Sequence, residues 1–309
     1  MSAQIPSSTL SKPILVTGAA GRVGSTGTAV VKELLKRQLP VRAMVREAGE
    51  RSEALAKLGA QIAVGNFTDY ASLGTALDGI ETAFFCYPVA DGIAEATGLF
   101  AAAGMENGLK RVVNMSVSAS GPSNPSPHGR AQWVSENILD WADFKCIHLR
   151  IDAFFHELLL LHTQFIQTEG VIRNSHGDLA VNWISGEDAG AIAASLLVDP
   201  DQTSEPVVYP TGPEKLTYAQ VAELITSIVG RPVRYEEVTP EAYRDILDVV
   251  LQGKNPRAVN HLVSQSINLR NHLKPLPTND LTERFVGRQP RTIREFILAN
   301  QHALTPHSS

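Results

Sequence analysis

The chain has 309 residues, of which 43% are hydrophobic, and a formal net charge of −5 at pH 7. That length and apolar content can bury a large core, in one large domain or two smaller ones. No apolar run reaches the roughly 18 residues a membrane span needs, and no basic cluster offers a footprint for nucleic acid, so the expected partner is a small molecule.

The first residues, Met1 to Lys12, are Ser-rich and polar without an apolar signal core, and read as a loose tail rather than an export signal. The cytoplasm is therefore the expected compartment. Pro13 to Thr17 reads as a strand that runs into Gly18, Ala20, Gly21, Arg22, Val23 and Gly24, and then into a helix to Arg37 carrying Val30, Val31, Leu34 and Leu35 on one face. Strand, glycines three apart and helix together describe a grip on a dinucleotide pyrophosphate. The glycines allow a tight turn and close backbone approach, and the helix start directs N–H groups at the anion. Val41–Val45 is a second strand. Further strands follow at Gln61–Val64, Thr82–Tyr87, Arg111–Val117 and Cys146–Leu149, each separated by a helix-length segment.

Such a β-α-β-α series implies an α/β fold, a doubly wound parallel sheet with ligands outside the carboxyl ends of its strands. Ligand-facing residues are then Gly18 to Gly24, Arg46, Asn66, Phe67, Tyr87 and Ser116. Cys86 and Cys146 lie in apolar strand-like runs and read as buried core thiols, not a disulfide or a metal pair. In the second half, Thr217 and Gln220 form a capping box before Val221, Leu224, Ile225 and Ile228, and Gly230 ends that helix. Val233–Val238 reads as a short strand, and Thr239-Pro240 as a helix start. The expected division is a tail at 1–12, a dinucleotide-binding domain at 13–152 with a return segment near 180–198, a smaller α/β substrate domain from 153–179 and 199–302, and a tail at 303–309.

The end of the second strand addresses the choice of dinucleotide. An NAD-preferring site places Asp or Glu about 20 residues past the glycines. Here the strand ends in Arg46, which can fork onto a 2′-phosphate, while Arg42 at its other end is structural. NADP(H) is expected, although one residue of register would substitute Glu47.

Taken together, Val16–Gly24, Val41–Arg46, Gly65-Asn66-Phe67-Thr68-Asp69 and Lys110–Ser116 resemble the NmrA-like branch of the atypical short-chain dehydrogenases. The likeness continues through Asn182–Asp188, Tyr209–Pro213 and Gly287–Thr292 and spans almost the whole chain. It implies a Rossmann domain binding NAD(P) and a small carboxyl-terminal domain closing over a cleft. Members of that family include reductases of quinones or aromatic dyes and also NADP sensors that regulate a partner protein. One departure is the insert Ser25–Ala29. Its Gly27 continues the spacing of three, so the pyrophosphate glycine can be Gly21, Gly24 or Gly27; Gly18, Gly21 and Gly24 are favoured because they follow the strand directly.

The wider superfamily uses a Tyr and a Lys four residues later on one helix face. Counting back from Glu136 along the helix Gly129–Trp141, this chain has His128 and Gln132 at those places, so the usual proton relay is missing. Ser116 or Ser118 can fill the serine role. His128 reads either as a general acid, its ordinary pKa being near neutrality, or as a solvated loop residue beside Pro127. Hydride transfer to a strongly electrophilic quinone or dye depends more on positioning than on that relay. Phe154 and Phe155, with Tyr87 and Trp183, could wall an apolar pocket, or belong to a buried interface helix. His156-Glu157 with His162 lacks zinc spacing, and no metal is expected. Ala119–Pro127 reads as an irregular loop, a cover for the substrate or a plain spacer. The functions left standing are an NADPH-dependent reductase of a small apolar electrophile and a non-catalytic NADP sensor with a protein partner.

Overall fold

The computed structural model describes residues 11–21, 26–152, 156–271 and 277–305. Its amino-terminal half alternates strands and helices. They are β1 (Ile14–Val16), α1 (Thr26–Lys36), β2 (Val41–Val45), α2 (Glu50–Lys57), β3 (Gln61–Val64), α3 (Tyr70–Leu77), β4 (Thr82–Phe85), α4 (Ile93–Glu106), β5 (Arg111–Val117), α5 (Pro127–Trp141) and β6 (Lys145–Ile151). The chain continues through a 3-10 turn (His156–His162), α6 (Thr163–Glu169), β7 (Val171–Asn174), β8 (Val181–Asn182), α7 (Gly186–Val198), β9 (Val207–Val208) and β10 (Lys215–Leu216). The last elements are α8 (Tyr218–Val229), β11 (Arg234–Glu237), α9 (Pro240–Val250), α10 (Pro256–Asn271), α11 (Leu281–Val286), α12 (Ile293–Ala299) and α13 (Gln301–Leu304).

A seven-stranded sheet runs in the order β3-β2-β1-β4-β5-β6-β9 and every pairing in it is parallel. The order reverses between β1 and β4, which opens a crevice at the carboxyl ends of those strands. Strand residues buried on both faces explain the near-continuous apolar runs: Ile14, Leu15 and Val16 are fully buried, as are Ala83, Phe84 and Phe85. One core layer packs α1 and α7 against the sheet through Val30, Leu34, Ile192 and Leu196. The opposite layer uses Leu73, Leu77, Phe100 and Leu139 from α3, α4 and α5.

α7 lies against α1. β9 is a seventh strand that the periodicity did not reveal, because a two-residue strand carries no pattern. A further core gathers Ile172, Trp183, Tyr218, Val221, Ile225 and Phe296 around the small parallel pair β7–β11. The capping box of Thr217 and Gln220 is formed, Gly230 closes α8 in the left-handed conformation, and Thr239 caps α9 at Ala242. No helix among the described residues is long and apolar enough to cross a membrane.

Candidate functional site

At the end of β1, Thr17 ties the crevice together: its Oγ1 accepts from the Cys86 N–H at 2.8 Å and donates toward the Phe84 carbonyl at 3.2 Å. Gly18 then turns with φ +66, a left-handed value that suits glycine, and the Gly21 N–H donates to the Gly18 carbonyl at 3.1 Å. Gly27, in the first turn of α1, lies so close to this turn that a Cβ there would stand 2.5 Å from the Gly18 oxygen. Close packing of helix on strand is the work of the last glycine in a dinucleotide turn. Gly27 makes such an approach here; Gly24, favoured from the sequence, lies outside the described residues. Arg22 and Val23 also lie outside them. The turn, the close approach and the start of α1 fit a dinucleotide pyrophosphate.

Arg46 follows β2 with its side chain 82% exposed, 3.9 Å from Glu47. Arg42 is structural as expected, donating to Gln61 and to the carbonyls of Ala76 and Asp78. A second arginine stands at the crevice that the sequence reading missed: Arg51 Nη1 in α2 donates to the Ala20 carbonyl at 2.6 Å. Its only sequence signal is an exposed arginine in the first helical turn past the strand. Asn66 shapes the turn after β3, accepting from the Thr68 N–H at Oδ1. Phe67 packs edge-on against Tyr87 at 5.3 Å, and the Tyr87 hydroxyl donates to the Asp91 carbonyl at 2.8 Å. Phe67 and Tyr87 thus form an aromatic wall beside the ends of β3 and β4.

Beyond β5, Ser116 is buried and donates to Glu136 Oε1 at 2.5 Å. Glu136 also accepts from Ser120 and from both Nε and Nη2 of Arg150, whose Nη1 donates to the Tyr209 hydroxyl. Burial opposes the Glu136 charge, but the hydrogen bonds from Arg150, Ser116 and Ser120 outweigh it and hold the carboxyl below the usual range. Ser118 is only half-buried and donates to Asp152 Oδ1. Burial pushes Asp152 up, against the Ser118 hydrogen bond and the nearby Lys215 charge. Ser118, not Ser116, is the serine with a partly exposed side chain. Asp152, Glu136 and Arg150 went unrecognised because only the β5–β6 pairing, Ser116 opposite Arg150, brings them together.

His128 departs from its solvated-loop reading. It lies in the first turn of α5 and is 1% exposed, so it is no solvated loop residue. Burial, with Arg257 nearby, pushes its pKa down to about 4, which leaves a neutral ring with little acid strength near pH 7. Its ring meets His261 of α10 at 4.8 Å, and Arg257 of α10 pairs with Asp91. α10 is therefore fastened over the crevice rim. The loop before α5 is pinned at Ser120 and at Ser126, whose Oγ lies 2.9 Å from His261 Nδ1. Trp183 is also corrected: it is fully buried against Tyr218 at 5.0 Å with its indole N–H on the Leu216 carbonyl, a core residue rather than a pocket wall. Phe154 and Phe155 lie outside the described residues.

The sequence pattern of the NmrA-like family matches residues 10–133 and 161–297. The chain belongs to the NmrA-like family. An NAD(P)H azoreductase of Xenophilus azovorans is 29% identical over 296 residues, covering 94% of this chain and 98% of its own length. The fold is also that of the NADPH-dependent quinone oxidoreductase QOR2 of Escherichia coli, solved with NADPH, at TM-score 0.78 and 21% identity over 94% of this chain and 99% of that one. The Citrobacter sp. triphenylmethane reductase in complex with NADP(H) gives TM-score 0.74 at 18% identity, with 94% and 99% covered.

Proposed function

We propose that this NmrA-like protein is an NADPH-dependent reductase of a small apolar electrophile such as a quinone or an aromatic dye. The observation that carries the reading is the close approach of Gly27 to the Gly18 turn, at the head of a chain similar over 94% of its length to an NAD(P)H azoreductase. Gly18, Gly21 and Gly27 with the start of α1 would hold the pyrophosphate, and Arg46 with Arg51 would take the 2′-phosphate. When bound, NADPH supplies the hydride. Phe67 and Tyr87 offer flat apolar surface, and Ser118, backed by Asp152, holds a proton at Oγ beside the substrate.

The test mixes purified protein with NADPH and a panel of quinones and azo or triphenylmethane dyes, following nicotinamide absorbance. Oxidation is expected with at least one acceptor, and Ser118→Ala should slow it by about 10²-fold if it supplies the proton. Tight NADPH binding with no oxidation by any acceptor would overturn the reductase reading and leave that of an NADP sensor, which the missing Tyr–Lys pair favours.

A further inference from the structure

On the far edge of the sheet from the glycine turn, three donors of different chemistry converge. Cys146 and His148 are two apart on β6 and so share one face of the strand. Asp140, in the last turn of α5, comes down over that face, and its Oδ1 is 3.0 Å from His148 Nε2. The donor atoms of Asp140, Cys146 and His148 all lie within 4.8 Å of one another. Ligands of a tetrahedral zinc at about 2.0–2.3 Å stand about 3.3–3.8 Å apart, so small side-chain adjustments close the triangle.

A second observation concerns what stands behind the imidazole. Asn114, paired with His148 across the β5–β6 ladder, is fully buried with its Nδ2 3.0 Å from His148 Nδ1. Its Oδ1 has no partner among the described residues. Among the described residues nothing else holds the amide, so it can turn over and offer Oδ1 to an Nδ1–H. That tautomer frees the Nε2 lone pair, the arrangement that metal-bound histidines receive from a neighbouring acceptor.

We infer that Asp140, Cys146 and His148 form a binding site for a zinc-type divalent cation, with water as fourth ligand, clipping the end of α5 to β6. Thiolate and carboxylate balance the two charges of the ion, so no net charge is left in a half-buried place. The His148 proton moves from Nε2 to Nδ1, and the Cys146 thiol proton leaves to solvent. The Asp140 side chain is 55% exposed and gives the ion a path in. Cys146 and His148 lie toward the amino end of β6, away from Ser118 and the glycine turn, so the site is structural.

Cobalt(II) titrated into the full-length protein reports the site without reference to turnover. A thiolate-to-cobalt band in the near ultraviolet and intensified visible bands are expected, with zinc displacing cobalt and raising the melting temperature. Cys146→Ser should abolish the band and Cys86→Ser should leave it. Asp140→Asn, at an exposed position compatible with folding, should weaken cobalt binding by at least the roughly 10-fold that losing an outer partner costs. Absence of the band from wild-type protein, its survival in Cys146→Ser, or unchanged affinity in Asp140→Asn overturns the assignment.

Discussion

In the proposed site, Arg46 and Arg51 would share the work of cofactor choice. A guanidinium forks onto a phosphate and has no use for a bare ribose hydroxyl pair. Arg51 leans on the Ala20 carbonyl and so reaches the turn from α2, while Arg46 stands exposed just past the end of β2. Each charge-assisted bond contributes about 1.5–3 kcal/mol; Arg46→Ala and Arg51→Ala should each weaken NADPH about 10-fold or more and NADH little. Titration of both nucleotides checks this, and equal losses for the two would refute the 2′-phosphate role. His128 makes the opposite case. Both of its ring nitrogens are buried without a hydrogen-bond partner among the described residues. Replacing such a group by an apolar one of similar shape is close to neutral. His128→Leu should therefore keep its stability to within about 1 kcal/mol and retain turnover; loss of NADPH oxidation at unchanged melting temperature would restore a catalytic role.

At the scale of elements, the segments that marked the family meet one another in space. Ser185 caps α7, and Asp188 in its first turn is fully buried, accepting from Ser185 Oγ at 2.7 Å, Arg288 Nη1 at 2.6 Å and the Arg291 N–H at 2.8 Å. A carboxylate near a helix N-terminus is also favoured by the helix dipole. Asp188 thus joins α7, which covers the sheet, to the connection between α11 and α12. The Arg288 side chain is 42% exposed and is solvated when its partner goes, so the loss is chiefly that of hydrogen bonds to a charged group, about 1.5–3 kcal/mol each. Asp188→Ala should lower the denaturant midpoint accordingly, and a midpoint unchanged within error would show the junction to be held by other contacts. Beside it, the Glu157 carboxylate accepts twice from the Gly186 N–H, at 3.1 and 3.2 Å. Burial nonetheless raises Glu157 to about 7.

For the whole molecule, the buried histidines dominate the pH response. Burial pushes His128, His156 and His162 down to about 4, and His176 and His261 to about 3, from the ordinary 6.5. Below pH 6.5 the unfolded chain takes up protons that the folded chain refuses, so stability falls as pH drops toward 4. Each group contributes about 1.4 kcal/mol per pH unit across that window. Glu157 has the opposite sign: its raised folded value favours folding at low pH and is lost as pH rises through about 7. Two raised carboxyls, Glu157 and Asp152, against five imidazoles leave a net loss on acidification. Melting temperatures measured from pH 7 to 4.5 should fall steadily, and a flat profile would mean that these rings are charged or solvated in the folded protein.

Wherever the physics was local, the sequence was enough. Val41–Val45, Gln61–Val64 and Arg111–Val117 are strands with the bounds read from it, each a short, mainly apolar run between helix-length segments. The caps at Thr217 and Thr239 are likewise bonds within a few residues of the chain. The strand–glycine–helix order announced the dinucleotide turn before any coordinates. What only the tertiary structure decided depends on partners far apart in the chain: Gly27 as the close-packing glycine, Arg51 at the turn, Asp152 behind Ser118, and Asn114 behind His148. His128 makes the reason plain. Its ordinary pKa and polar neighbours suggested an acid, but burial under α10, from a segment more than a hundred residues away, sets its charge. Desolvation depends on everything packed around a group, and no local pattern in the sequence records it.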